Sequence, residues 1–151
     1  MGHSFTQQVI TYSLKNPQAM YYAKNILRAD DGYTFTLVDR AAAEEHPAQI
    51  HVLGEHNILN AVVAFAVGRA LQLPDTEILA GIASYQPSGM RQNLLQAGKY
   101  RILADYYNSS LLAVDNTLKV LDELRLPDKT KRSVVLGDVL ALGDLSEETR
   151  R

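Results

Sequence analysis

The sequence has no cysteine, which excludes a disulfide scaffold, a thiolate nucleophile and any cysteine-ligated zinc or iron–sulfur centre. It has no surplus charge of either sign: 15 Lys and Arg against 17 Asp and Glu leave a formal charge of −2. That balance provides neither a basic footprint for nucleic acid nor a polybasic patch for a membrane surface. No apolar run approaches the roughly 20 residues of a transmembrane helix. Nor does the N-terminus carry a charged region followed by an apolar signal core, so the expected compartment is the cytoplasm. The phosphate loop G-x-x-x-x-G-K-[ST], the fingerprint G-x-G-x-x-G, the zinc motif H-E-x-x-H and the nucleophile elbow G-x-S-x-G are all missing. His3, His46 and His51 have no metal-ligand spacing, and no metal site is expected. The eight Tyr are scattered and form no stacking array.

What remains is an ordinary globular composition, 46% hydrophobic and 21% charged, over 151 residues. That length suits one modest domain or pieces of two. The first third reads as β-structure. Met20 to Leu27 and Tyr33 to Val38 flank Asp30-Asp31-Gly32, which is hairpin-turn chemistry. Gln49 to Leu53 is a further strand candidate after a polar loop, Glu44-Glu45-His46-Pro47. From His56 the period changes to that of a helix, with Ile58, Leu59, Val62, Val63, Phe65 and Val67 covering most of its surface, which predicts burial. It stops before Pro74, and Asp75-Thr76-Glu77 opens a second helix. The polar stretch 86–93 reads as a boundary or hinge. Beyond it a β-α-β pattern is expected: a strand at 100–104, a helix with Ser109 or Ser110 as N-cap, and a buried parallel strand at Ser133-Val134-Val135-Leu136. Too few strands are present to close such a sheet, so the chain reads as cut at both ends.

Three constellations can carry chemistry. Gly54-Glu55-His56-Asn57-Ile58-Leu59-Asn60 lies where a strand turns into a helix, and Asn57 and Asn60 share one helix face. An Asn amide pairs a donor with an acceptor, as the N6 and N7 edge of adenine requires. On spacing alone, capping of the helix N-terminus is the favoured alternative. Arg91 can reach a phosphate or ribose, or lie solvated on the surface. Asp105 follows the strand 100–104 and Asp138 follows 133–136, so two carboxylates fall on the ligand-binding edge of one sheet. Each of them also suits a turn or a cap.

In order along the chain, these segments resemble the Mur ligases, the ATP-dependent amide ligases of bacterial cell-wall synthesis. The carriers are Gly54 to Ala61, Tyr85-Gln86-Pro87-Ser88-Gly89-Met90-Arg91, Asp105-Tyr106-Tyr107-Asn108, and Leu136-Gly137-Asp138-Val139-Leu140-Ala141-Leu142-Gly143. The likeness is strong from 53 to 145 and faint before 49. It implies an α/β fold: 1–85 as the end of a P-loop-type central ATPase domain, and 86–151 as the start of a Rossmann-like C-terminal domain, incomplete here. It implies adenine contact by Asn57 and Asn60 with His56 beside them, and ribose and phosphate contact by Arg91 and Asp105. Tyr107, Asn108 and Asp138 fall on the side of the incoming amine. The implied cofactors are ATP and Mg²⁺, with the Mg²⁺ ligands and phosphate loop expected upstream of residue 1. The implied partners are a UDP-MurNAc-peptide and an amino acid or dipeptide, D-Ala-D-Ala by the Tyr107-Asn108 and Leu136–Gly143 strings. Where the family commonly has paired Asp and an Asn-Pro, this chain has Ala104-Asp105 and Ser110-Leu111. Without its phosphate loop the chain alone is expected to be inactive. The competing expectation is a non-catalytic module that binds a nucleotide or a partner.

Overall fold

The computed structural model describes residues 9–124, 126 and 130–137. The chain divides into two units between Gln86 and Pro87. In the first, strands β1 (Tyr12–Ser13), β2 (Tyr21–Arg28), β3 (Tyr33–Asp39) and β4 (Glu44–Ile50) form one sheet in that order. β1 runs parallel to β2, and the other pairs are antiparallel. Alternation sets the inner face: Tyr21 and Ala23 of β2, and Tyr33, Phe35 and Leu37 of β3, are buried. One extra residue between Lys24 and Leu27 bulges β2, with Asn25 at φ 53° taking the left-handed conformation that Asn tolerates. The β2–β3 turn needs Gly32. A Cβ there would lie 1.9 Å from the Ile50 carbonyl oxygen, so only glycine lets the turn press against the end of β4.

Helix α1 (Glu55–Ala70) lays Ile58, Ala61, Val62, Phe65 and Ala66 on this sheet. Phe65 is fully buried, edge-on to Tyr21 with ring centroids 6.0 Å apart. Leu71 closes the helix, and Gln72 at φ 58° turns the chain toward Pro74. Helix α2 (Asp75–Ala83) follows and buries Ile78 and Ile82 in the same core.

Two expectations for this unit need correction. Glu44-Glu45-His46-Pro47 is not a loop but the first half of β4, which ends at Ile50 and not at Leu53. His46, Ala48 and Ile50 face inward while Glu45, Pro47 and Gln49 face out. Pro47 is tolerated because β4 is the outer strand of the sheet, where one edge needs no donors. Helix α1 is also buried on one side only: Val67 and Leu71 stand half-exposed or more.

In the second unit, β5 (Asn93–Ala97) and β6 (Tyr100–Ala104) form an antiparallel hairpin across Gly98-Lys99. Helix α3 (Leu111–Glu123) starts at Ser110, whose hydroxyl accepts from the Ala113 amide at 3.2 Å. Arg132 closes its far end by donating to the carbonyls of Leu121 and Leu124. The parallel strand expected at 133–136 does not form: among the described residues these make no ladder, and Val134, Val135 and Leu136 are exposed. A parallel strand needs cover on both faces, and β6 instead pairs with β5. No helix among the described residues is long and apolar enough to cross a membrane.

Candidate functional site

The turn into α1 is built on Gly54, whose φ of 91° is a backbone angle that glycine alone adopts freely. Its carbonyl accepts from the Asn57 amide at 2.9 Å. The Asn57 side chain does not cap the helix. Its Nδ2 donates to the Leu53 carbonyl at 2.7 Å and ties the end of the sheet to the helix. Asn60, one turn on, points its Nδ2 at Asn57 Oδ1 at 3.4 Å. The two amides are therefore neighbours, as their spacing requires, and among the described residues the exposed Asn60 makes no other side-chain hydrogen bond. His56 is half-buried beside them.

Asn57 and Asn60 line a cavity of about 790 Å³ in the first unit, a size suited to a small organic ligand. Its walls are largely aliphatic, from Ala64, Val67 and Leu71 of the first helical segment and Ile78 and Ile82 of α2, with Tyr85 beyond. An apolar slot with two adjacent amides fits a flat heterocycle that stacks on its faces and hydrogen-bonds along its edge.

The second unit assembles Arg91, Asp105 and Tyr107. The Tyr106 and Tyr107 amides both donate to the Met90 carbonyl, at 3.0 and 3.3 Å, and staple the segment after β6 to the one before β5. Arg91 then lies over the Tyr107 ring, 4.5 Å from its centroid. Among the described residues its exposed guanidinium makes no ion pair, leaving its charge available to an anion. Asp105 Oδ2 accepts from the Thr117 hydroxyl of α3, and Gln92 Nε2 donates to the same hydroxyl at 3.4 Å. Asn108 is used locally, its Oδ1 accepting from the Ser109 amide at 2.9 Å. Tyr107, expected on the amine side, packs against Arg91, expected on the nucleotide side. Asp138 lies outside the described residues.

Sequence reading missed one constellation entirely. Arg69, near the end of α1, donates through Nη1 to both oxygens of Asp75 at 3.0 and 3.1 Å, through Nε to Asp39 Oδ2 at 3.3 Å, and through Nη2 to Glu44. Burial works against the guanidinium's charge, but the Glu44 bond and the charges of Asp75, Glu44 and Asp39 outweigh it and hold its pKa above the usual value. His46 lies in this cluster with its ring 5.2 Å from Phe65, and its Nε2 is 3.7 Å from Glu44 and 3.8 Å from Asp75. Glu44, His46 and Asp75 bring ligand atoms within 4.8 Å of one another. Arg69 occupies both carboxylates, so this set suits a guanidinium and not a magnesium ion, which requires near-octahedral oxygen ligands.

Known proteins resemble this chain in sequence and in fold. Residues 2–68 match the model of the Mur ligase middle domain, including the first third where short motifs are sparse. The UDP-N-acetylmuramoyl-tripeptide–D-alanyl-D-alanine ligase of Bacillus subtilis is 29% identical over 128 residues, 84% of this chain and 27% of that protein. A UDP-N-acetylmuramate–L-alanine ligase of Chlorobaculum tepidum is 36% identical over 113 residues, 74% of this chain and 20% of that one. In fold, a crystal structure of MurF from Acinetobacter baumannii superposes with a TM-score of 0.78 at 23% identity, covering 93% of this chain and 29% of that chain. The chain thus spans about a quarter of the length of the curated relatives it matches. With a middle-domain match, these relatives and an α/β fold shared with MurF, the chain belongs to the Mur ligase family.

Proposed function

We propose that this chain carries the adenine-nucleotide side of an ATP-dependent amide ligase of peptidoglycan precursor synthesis. In this reading the first unit is the end of the central ATPase domain and the second is the start of the C-terminal domain. The observation that carries the proposal is the adjacent pair Asn57 and Asn60 on the wall of an apolar cavity. Asn60 supplies the donor and acceptor for the adenine edge, Asn57 holds Asn60 in place, and His56 flanks them. Arg91, which makes no ion pair among the described residues, offers its guanidinium to the phosphates, and Asp105 a carboxylate to a ribose hydroxyl. ATP, when bound, supplies the phosphoryl group that activates a substrate carboxylate for attack by an amine. The residues of this chain would bind and orient it and exclude water from the activated acid. A UDP-MurNAc-peptide and D-Ala-D-Ala are the proposed substrates, with Tyr107, Asn108 and Asp138 on the amine side. The 151 residues contain no phosphate loop, so the chain alone is expected to bind nucleotide without turning it over.

Titration calorimetry with ADP tests the nucleotide assignment. Asn60→Ala removes an exposed side chain with little packing and is expected to weaken ADP about tenfold, the value of one paired amide edge. Unchanged affinity in that variant would remove adenine from the site.

A further inference from the structure

The second unit holds its acidic candidate in a way the nucleotide reading does not by itself require. Thr117 lies on α3, twelve residues from Asp105, and its hydroxyl donates to Asp105 Oδ2. A hydroxyl has one proton to give and two lone pairs to receive. Gln92 Nε2 donates to this one at 3.4 Å, which leaves the Thr117 proton directed to the carboxylate. The hydrogen bonds therefore run one way, from Gln92 through Thr117 to Asp105. The same segments are stapled by the Tyr106 and Tyr107 amides on the Met90 carbonyl. Among the described residues Asp105 Oδ1 accepts no hydrogen bond, so the carboxylate is fixed by one oxygen and open at the other.

We propose that Thr117 is a positioning residue which, with Gln92 behind it, fixes the Asp105 carboxylate and presents Oδ1 to a ligand hydroxyl. This rests on the reading of Asp105 as a ribose contact. A fixed acceptor gives up little rotamer freedom on binding, so the gain appears as affinity. Arg91 is held similarly, its guanidinium stacked on Tyr107. An anion-binding cation and a hydroxyl-binding carboxylate are thus both oriented in the free protein.

The test uses the whole chain and the variants Thr117→Val, close in shape but without the hydroxyl, and Thr117→Ser, which restores it. In ligand-free protein, three-bond couplings across the Asp105 Cα–Cβ bond report whether its side chain holds one rotamer. Wild type and Thr117→Ser are expected to show one rotamer and Thr117→Val an average. ADP affinity is expected to fall about tenfold in Thr117→Val, the scale of a lost hydrogen bond to a charged group, and to recover in Thr117→Ser. An unaveraged Asp105 in Thr117→Val overturns the proposal whether or not ADP binds. Equal ADP binding by wild type and Asp105→Ala overturns the ribose reading instead, and the couplings still decide the positioning role. Should Thr117→Val fail to fold, Gln92→Leu removes the group orienting the hydroxyl; unchanged couplings there overturn the relay.

Discussion

Replacing Arg69 by Ala should be among the most damaging single changes in the first unit, although the residue belongs to no nucleotide contact. Its guanidinium joins β3, β4 and α2 to α1 through Asp39, Glu44 and Asp75. These partners are not equal. The Asp39 side chain is 7% exposed, against 29% for Asp75 and 48% for Glu44. Removing one partner of a buried pair costs about 3–5 kcal/mol, because a charge is left without compensation. Asp39 keeps two bonds from the Ala41 and Ala42 amides, at 3.0 and 3.1 Å, which offset part of that. The exposed partners add about 0–1 kcal/mol each. A total near 3 kcal/mol follows, and for a unit of this size each kcal/mol shifts Tm by about 4–8 °C. Urea unfolding followed by far-UV circular dichroism measures it without the screening that a salt denaturant brings. Arg69→Lys should lose an intermediate amount, since an ammonium cannot hold three carboxylates at once. The double change Arg69→Met with Asp39→Asn should recover part of the loss by removing the orphaned charge. A loss below about 1 kcal/mol for Arg69→Ala would refute the reasoning, because the cluster would then be surface decoration.

Two further outcomes follow from the same unit. Burial, then the charge and hydrogen bond of Asp39, push the Tyr21 hydroxyl above its ordinary pKa of 10.0. Its contribution to stability is therefore complete below pH 10 and lost as pH rises through the raised value. Urea stability should fall as pH rises above 10 and do so less steeply in Tyr21→Phe. Identical slopes would show that Tyr21 does not titrate late. Gly32→Ala places a methyl 1.9 Å from the Ile50 carbonyl oxygen, and overpacking against backbone costs about 1–3 kcal/mol. A neutral Gly32→Ala in the same unfolding assay would mean that the β2–β3 turn stands further from β4 than described.

The parts of this fold that were legible in the sequence are those fixed by local chemistry. Asp30-Asp31-Gly32 announced its hairpin, Pro74 and the acids after it separated α1 from α2, and Ser110 capped α3. The strand β4 was not legible, because Glu44-Glu45-His46-Pro47 has loop composition; only its position at the sheet edge makes it tolerable. β5 was hidden for a related reason: its Leu94 and Leu95 are half-exposed, and its partner β6 supplies the pairing. The reading of 133–136 as a buried strand failed because an apolar run states a need for burial without supplying a neighbour to meet it. In the site, helical spacing sufficed to place Asn57 beside Asn60. It could not reveal that Arg69 meets Asp39 across 30 residues of sequence, nor that Thr117 meets Asp105, since such pairs are set by how elements pack. The first third carries few short polar motifs, yet it lies within the 2–68 match to the family's middle domain.

The outer strand β4 has one further consequence. Its ladder with β3 continues unbroken through the pairing of Thr36 with Pro47, so the imino nitrogen of Pro47 faces away from the sheet. A strand from another molecule that approached this rim would meet a missing donor at its middle and two carboxylates, Glu44 and Glu45, at its start. The sheet is thereby closed to growth on that side. Replacing Pro47 with a residue that donates would remove one of these two barriers and leave the carboxylates as the other.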